Sequence, residues 1–458
     1  MNVKILAGLA EKQVLQRLRD RGAKAVLKGT AGECGPVLAT ILDGGDFLQD
    51  WKNRPVGKAS RGRWKATLTG IPAGGPYQLR LEVGRDHALI ASFYVGDVWL
   101  LAGQSNMEGV GQMSGAASPH PLVRVFSLRR EWRLAEDPLH LLAESPDKCH
   151  HREQQCSPEE GEMKRRMNPK GVGVGLYFGR EMVKRSGVPQ GLICTAQGGT
   201  GMDAWSPERK HLGGESLYAS MLASVQATGQ PLAGVLWYQG ESDANAKCAP
   251  EYTRRMEGFV AACRRALRQP CLPWMGVQIG RYFNAGTEFA PWNEIQEQQR
   301  LLPSRISHLE MVSAIDLPLD DSLHVGSDGF QVLAKRLARV ADRMVHGKAR
   351  EPRPPQLRTI RRLTTSSPWD CAIEVSYDGV VGKLRSKGEA NGFMLMTPEG
   401  KPFPIIYKTT LHGDTVRLYA DSRFIDGKRL SYGQGFFPIC TIVDERNMAL
   451  PVFGPLDF

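Results

Sequence analysis

Five short apolar runs, at 98–102, 191–195, 234–238, 274–279 and 311–315, punctuate the middle of the chain, with helix-patterned stretches among them. Apolar runs of this length read as strands buried on both faces. Strands of that kind alternating with helices form a mostly parallel sheet with helices over both faces. The clearest helical patterns cover 174–186, 251–268 and 328–345. The middle of the chain is therefore expected to be α/β.

The flanks differ. Residues 77–83, Tyr-Gln-Leu-Arg-Leu-Glu-Val, alternate apolar and polar after a Pro-Ala-Gly-Gly-Pro turn, the pattern of a half-buried strand. Similar patterns return at 372–377 and 415–419, beyond a charged, proline-rich stretch at 347–355 that reads as a linker. With 458 residues, too many for one core, we expect three units. These are an N-terminal β domain at 1–92, an α/β domain at 93–348, and a linker with a C-terminal β domain at 349–458. Residues 113–170, rich in charge and proline, are expected to be an irregular excursion from the α/β domain.

Composition narrows the function classes. A hydrophobic share of 41% with 23% charged residues excludes wholesale disorder. No stretch approaches the roughly 20 apolar residues of a spanning helix, so no membrane role is expected. The start, MNVKILAGLAEKQ, lacks a signal-peptide core; the expected location is cytoplasmic, or exported if a leader precedes this sequence. The net charge of +11 raises nucleic acid as a partner. No reading motif accompanies the basic clusters at Lys164-Arg165-Arg166 and Arg361-Arg362, so they read as solvated surface. Nine cysteines, an odd number, imply no complete disulfide framework. Oligomeric state is left unassigned.

In open parallel sheets, ligands bind beyond the carboxyl ends of the strands, so the residues just after each run carry the functional information. The first run leads into Gly103-Gln104-Ser105-Asn106-Met107-Glu108-Gly109. Ser105 is placed either as an exposed hydroxyl on a tight strand-to-helix turn or as a helix N-cap. The second leads to Gln197-Gly198-Gly199-Thr200-Gly201-Met202-Asp203-Ala204-Trp205, where glycines let backbone N–H groups approach a developing anion, or simply turn the chain. The third leads to Trp237-Tyr238-Gln239-Gly240-Glu241-Ser242-Asp243. There the Gln239 amide is a candidate anion donor, and Glu241 a carboxylate that holds a neighbouring loop. The last leads to Asp320-Asp321-Ser322-Leu323-His324, whose three-residue spacing lets Asp321 reach one ring nitrogen of His324 while the other faces a nucleophile. Each signal is weak alone. Together they place serine, base, acid and amide donors at the ends of successive strands, as nucleophilic acyl transfer requires.

At these residues the sequence resembles the SGNH hydrolase superfamily, and within it the sialate O-acetylesterase-like carbohydrate esterases. Gly103-Gln104-Ser105-Asn106-Met107 and Trp237-Tyr238-Gln239-Gly240-Glu241-Ser242-Asp243 carry most of the resemblance. Gly198-Gly199-Thr200 with Trp205, and Asp321-Ser322-Leu323-His324, add to it by order and spacing. The resemblance implies a flavodoxin-like three-layer α/β core, mostly parallel, between β-sandwich-like N- and C-terminal domains. It implies Ser105 as nucleophile, His324 as general acid/base and Asp321 as its orienting acid. It further implies an oxyanion hole from the Ser105 and Gly199 N–H groups with Gln239. Gln104, Asn106, Met107, Trp205 and Glu241 would support the site or line its pocket. No cofactor or metal is implied, and the partner would be an acetylated carbohydrate. The D-x-x-H spacing looks more like the plant and xylan-esterase branch, and Thr200 stands where serine is common.

The alternatives to a sialate acetylesterase are an acetylxylan or other polysaccharide acetylesterase, a lipid or thioester esterase, and an inactive carbohydrate-binding protein. Two smaller motifs add nothing to these. Cys149-His150-His151 with Cys156 fits no common zinc spacing and reads as a surface loop, with a Cys149–Cys156 disulfide if the protein is exported. Gly171-Val172-Gly173-Val174-Gly175 lacks the third glycine and the preceding strand of a dinucleotide fingerprint.

Overall fold

The structure is a computed structural model that describes residues 3–18, 22–150, 156–284, 286, 288–348, 351–365 and 369–458. The protein is a mixed α/β fold. At its centre, Val123–Phe126, Gln190–Cys194, Asp86–Gly103, Gly234–Tyr238, Trp274–Gln278 and Leu309–Ser313 lie side by side in that order, each parallel to the next. Trp132–Leu134 is added antiparallel at one edge. Gln190–Cys194, Gly234–Tyr238, Trp274–Gln278 and Leu309–Ser313 are buried at every residue. That explains why they read as unbroken apolar runs rather than alternating ones.

The helices pack in two groups. Val174–Ser186 lies against Ser327–Met344. Leu217–Ala227 contacts Tyr252–Leu267, which in turn contacts Ala290–Arg305. Ser327–Met344 buries Phe330, Leu333, Leu337 and Val340 along one face. Its buried Arg336 forms an ion pair with Asp316 at 2.6 Å.

Two features depart from the expected organisation. Val123–Phe126 belongs to the central sheet although it lies inside 113–170, and Pro158–Met167 in the same segment is a helix with a Ser157–Glu160 capping box. A four-residue strand among prolines and charges is too short to show a period. Further, the 18-residue strand Asp86–Gly103 runs through the junction expected at 92/93. Its first half pairs with Gly74–Val83 and its second half with Gln190–Cys194 and Gly234–Tyr238, so one 15-stranded sheet carries both regions.

The N-terminal strands pair antiparallel, except that Val14–Leu18 runs parallel to Asp86–Gly103, and burial alternates: in Gly74–Val83, Tyr77, Leu79, Leu81 and Val83 face inward. They close their own core with Leu27, Val37, Ile41, Trp64 and Phe93. The C-terminal region has two four-stranded sheets around Ile373, Val375, Tyr377, Leu418 and Tyr432. It is joined to the centre by Gln278, which donates to Val452 O and accepts from Val452 N, both at 2.9 Å. Glu351, in the stretch read as a linker, pairs with Arg185, Arg339 and Arg446, while residues 349–350 lie outside the described residues. Among the described residues, no helix is long and apolar enough to cross a membrane.

Candidate active site

The strand Asp86–Gly103 ends where Gly103 adopts φ +135°; a Cβ there would stand 2.1 Å from Tyr238 O, so glycine is needed for the two strand ends to close together. One residue later Gln104 takes the N-cap position of the short helix Ser105–Glu108, and makes no side-chain cap bond. Ser105 is thus not the cap. Its Oγ lies 3.0 Å from His324 Nε2. His324 Nδ1 faces both Asp321 oxygens, at 3.0 and 2.9 Å, and Asp321 Oδ1 also accepts the N–H groups of Leu323 and His324. Residues 219 apart in sequence therefore form one hydrogen-bonded chain from hydroxyl through imidazole to carboxylate.

The Asp321 carboxylate has a further partner that sequence reasoning missed. Lys170 Nζ stands 3.1 Å from Asp321 Oδ2. It is delivered there by Lys170–Val172, which pairs antiparallel with Gly111–Gln112, while Gln112 N–H donates to the adjoining Asp320. Burial pushes the Asp321 carboxyl up. The bonds from His324, the two backbone N–H groups and Lys170 outweigh it and hold the group well below the usual carboxylate range. The carboxylate is thus charged at neutral pH. A contact across 151 residues, from a segment without periodicity, leaves no local signal in the sequence.

Asn106 ties the serine turn to both neighbouring loops. Its Nδ2 donates to Glu241 Oε1 at 2.9 Å and its Oδ1 accepts Val325 N–H at 3.0 Å, beside His324. Glu241 thus holds the serine loop. Burial pushes its carboxyl up, and the Asn106 bond opposes that. Gln104 Oε1 accepts from the backbone N–H of Ser242 at 3.2 Å and Gly240 at 3.4 Å. Met107 packs its side chain into the central core.

The glycine turn after the second strand lies against the serine. A Cβ on Gly198 would be 3.2 Å from the Ser105 Cβ, and Gly198 N–H is bonded to Glu108. Gly199 comes next with φ +66°, a backbone conformation natural to glycine.

Two expected roles change. Gln239 is fully buried and its Nε2 donates to Asp243 Oδ2 at 2.6 Å, with Thr200 O at 3.2 Å and Gln104 Oε1 at 3.3 Å. Its amide N–H groups are committed to the loop junction rather than offered to an oxyanion. Trp205 is fully buried and packs edge-to-face on Trp237 at 5.4 Å, its Nε1–H donating to Thr200 Oγ1. It is a residue of the central core. An aromatic residue in a loop carries no sequence mark of which side it faces.

The other motif resolves as structure. His150 is buried with Nε2 3.3 Å from Ser220 Oγ, and Cys149 and Cys156 are both free thiols. Burial pushes the Cys149 thiol up to about 11. His151 lies outside the described residues.

The family model for carbohydrate esterase, sialic acid-specific acetylesterase, matches residues 95–343. Among curated relatives, a probable carbohydrate esterase of Arabidopsis thaliana is 27% identical over 267 residues, covering 53% of this chain and 88% of its own length. The human sialate O-acetylesterase is 26% identical over 260 residues, covering 50% of this chain. The matched stretch spans 47% of that relative's length. Among solved structures, a carbohydrate acetylesterase from Xanthomonas citri has the same fold along nearly the whole chain: TM-score 0.71 at 21% identity, covering 98% of this chain and 99% of that one.

Proposed function

The chain belongs to the sialic acid-specific acetylesterase family of carbohydrate esterases, which makes it a carboxylic ester hydrolase, and we propose that Ser105, His324 and Asp321 are its catalytic triad, acting on O-acetylated sugars. The observation that carries this reading is the Ser105–His324–Asp321 hydrogen-bond chain at the carboxyl end of a central parallel strand.

In the proposed reaction Ser105 Oγ attacks the acetyl carbonyl carbon while His324 Nε2 takes the hydroxyl proton. Asp321 holds the ring and balances the imidazolium. The carbonyl electron pair moves onto oxygen, where the Ser105 and Gly199 N–H groups stabilise it. A fixed donor of this type is worth about 2.7–4 kcal/mol in the transition state. The tetrahedral intermediate collapses with cleavage of the bond to the sugar oxygen, which receives the proton from His324. Water then attacks the acetyl-serine, its proton passing to His324 and on to Ser105 as acetate leaves. Gln239, Glu241 and Asn106 order the loops that carry these groups.

We read the central sheet with its two helix groups as an SGNH-hydrolase three-layer core of flavodoxin-like type. We assign 93–348 as the catalytic unit between β units at 1–92 and 349–458, the first junction being a shared strand. Sialate esters are the substrates we favour from the family. The Asp321-x-x-His324 spacing favours acetylxylan or a related polysaccharide as the second reading. Acetate release from 4-nitrophenyl acetate by wild type, Ser105→Ala and His324→Ala tests the triad. Loss in both variants is expected, and equal rates in all three would end the proposal. Acetylated sialic acids and acetylated xylan compared side by side decide the sugar.

A further inference from the structure

Arg281, Tyr282 and Phe283 leave the carboxyl end of Trp274–Gln278 and pass between two loops. On one side Phe283 N–H donates to Ser322 O at 2.6 Å, inside the turn that carries Asp321 and His324. On the other, Tyr282 N–H donates to Phe436 O at 2.7 Å, in the C-terminal region. The Phe436 ring is packed away, 5.6 Å from Tyr282 and 6.2 Å from Trp292. Its neighbour Phe437 turns outward and is 43% exposed, while Phe283 is 66% exposed. These two rings meet edge-to-face with centroids 5.3 Å apart and planes at 87°. The Arg281 guanidinium lies 4.6 Å from the Phe437 centroid and donates to Leu317 O at 2.8 Å.

Single exposed phenyl rings are ordinary, but this pair is held in a fixed mutual angle by backbone bonds from two directions, at the margin of the His324 turn. In this geometry only the edge of one ring meets a face of the other, so each ring keeps a face that its partner does not touch. A pyranose ring is matched to such a surface. One of its faces is a set of C–H groups that lies flat on an aromatic ring, and its edge carries hydroxyls or a carboxylate that a guanidinium can bind. An ester-cleaving site for carbohydrates needs a hold on the sugar that leaves, because Ser105 and its N–H donors grip only the acyl end.

We propose that Phe283 and Phe437, with the Arg281 guanidinium over the Phe437 ring, form a platform for a sugar ring of the glycan whose ester is cleaved at Ser105. The platform rests on the esterase reading given above and extends it: the C-terminal β region supplies one half of a substrate subsite. Glycans longer than one ring gain most from it.

The test uses the full chain in two arms. In the kinetic arm, kcat/KM is measured for acetylated xylotetraose against acetylated xylose, and for O-acetylated sialyllactose against free O-acetylated sialic acid. The oligosaccharide-to-monosaccharide ratio is expected to fall at least fivefold in Phe283→Leu and in Phe437→Leu, which keep apolar bulk and lose the aromatic face. In the binding arm, the same oligosaccharides are titrated calorimetrically into Ser105→Ala with and without Phe283→Leu, with at least tenfold weaker binding expected in the double variant. Unchanged ratios and unchanged binding overturn the platform. So does a loss confined to the preference for 4-nitrophenyl octanoate over acetate, which would give the rings to an acyl chain. Absence of turnover by wild type on every sugar ester, with ring-dependent binding retained, would instead sink the esterase reading and leave the platform standing. Phe283 is exposed, so its variant keeps the test decisive should Phe437→Leu fail to fold.

Discussion

Lys170 Nζ lies 3.1 Å from Asp321 Oδ2, so a cation from outside the parallel strands is bound to the carboxylate that holds His324. Part of the Asp321 charge is therefore directed away from the imidazole. Lys170→Met should strengthen the hold of Asp321 on the charged ring and move the acid limb of kcat/KM upward. A half-exposed pair is worth about 0.2–1 kcal/mol, so the displacement should be small. The pH profile of 4-nitrophenyl acetate hydrolysis measures it. A profile that keeps its acid limb in place, or moves it down, refutes the coupling.

Asn106 joins three loops through two bonds, one to Glu241 and one to Val325 N–H. Asn106→Ala leaves a carboxylate oxygen and a backbone N–H without their buried partner. The stability loss should be about 1–3 kcal/mol, with kcat lowered and KM little changed, since the Ser105-to-His324 distance is no longer fixed. Thermal melting and steady-state kinetics on the same preparation check both parts. A lower melting temperature with wild-type kcat would make Asn106 purely structural.

His346 sits between Asp97 and Asp342, at 3.0 and 2.9 Å. Burial pushes the imidazole down, but the bonds from Asp342 and Asp97 prevail and raise it above its ordinary value. A raised histidine stabilises the fold fully below its unfolded value near pH 6.5, and the contribution is lost as pH rises through the folded value. The melting-temperature advantage of wild type over His346→Gln should be greatest near pH 6 and shrink toward pH 9. An advantage that grows with pH would contradict the charged-ring arrangement.

Asp137 gives stability a slope of the same sign over a lower pH window. Burial pushes its carboxyl up to about 8, against the pull of the Gly173 and Leu139 N–H groups. The native state then keeps a proton that the unfolded chain releases near pH 4, so stability falls as pH rises from about 4 to 8. Asp137→Asn removes this slope. The variant should gain on wild type across that window and hold a constant difference above it, as followed by urea unfolding at a series of pH values.

The fold and the site are legible in the sequence where their signals are local. Ser105 and His324 each stand shortly after an apolar run, and strand ends in a parallel sheet converge, so adjacency in space could be read from order in the chain. The helices Val174–Ser186, Tyr252–Leu267 and Ser327–Met344 carry enough turns to show a period. Leu217–Ala227 is apolar nearly all round and Ala290–Arg305 contains Pro303, so neither shows a clean stripe. Val123–Phe126 is too short to stand out. Lys170 reaches Asp321 only through tertiary pairing, and the motifs around Trp205 and Gln239 name residue types and not the direction they face.

The strand Asp86–Gly103 begins among the N-terminal β strands and ends two residues before Ser105. A gene-level trim at its midpoint would leave residues 97–103 paired with Gln190–Cys194 and Gly234–Tyr238, but would cut away the half that pairs with Gly74–Val83 and strip Tyr94, Val95 and Gly96 of residues 14–16. The N-terminal sheet and the segment that aims the serine are therefore two halves of one continuous strand. In a chimaera of this chain, a boundary at the turn before residue 86 keeps that strand whole.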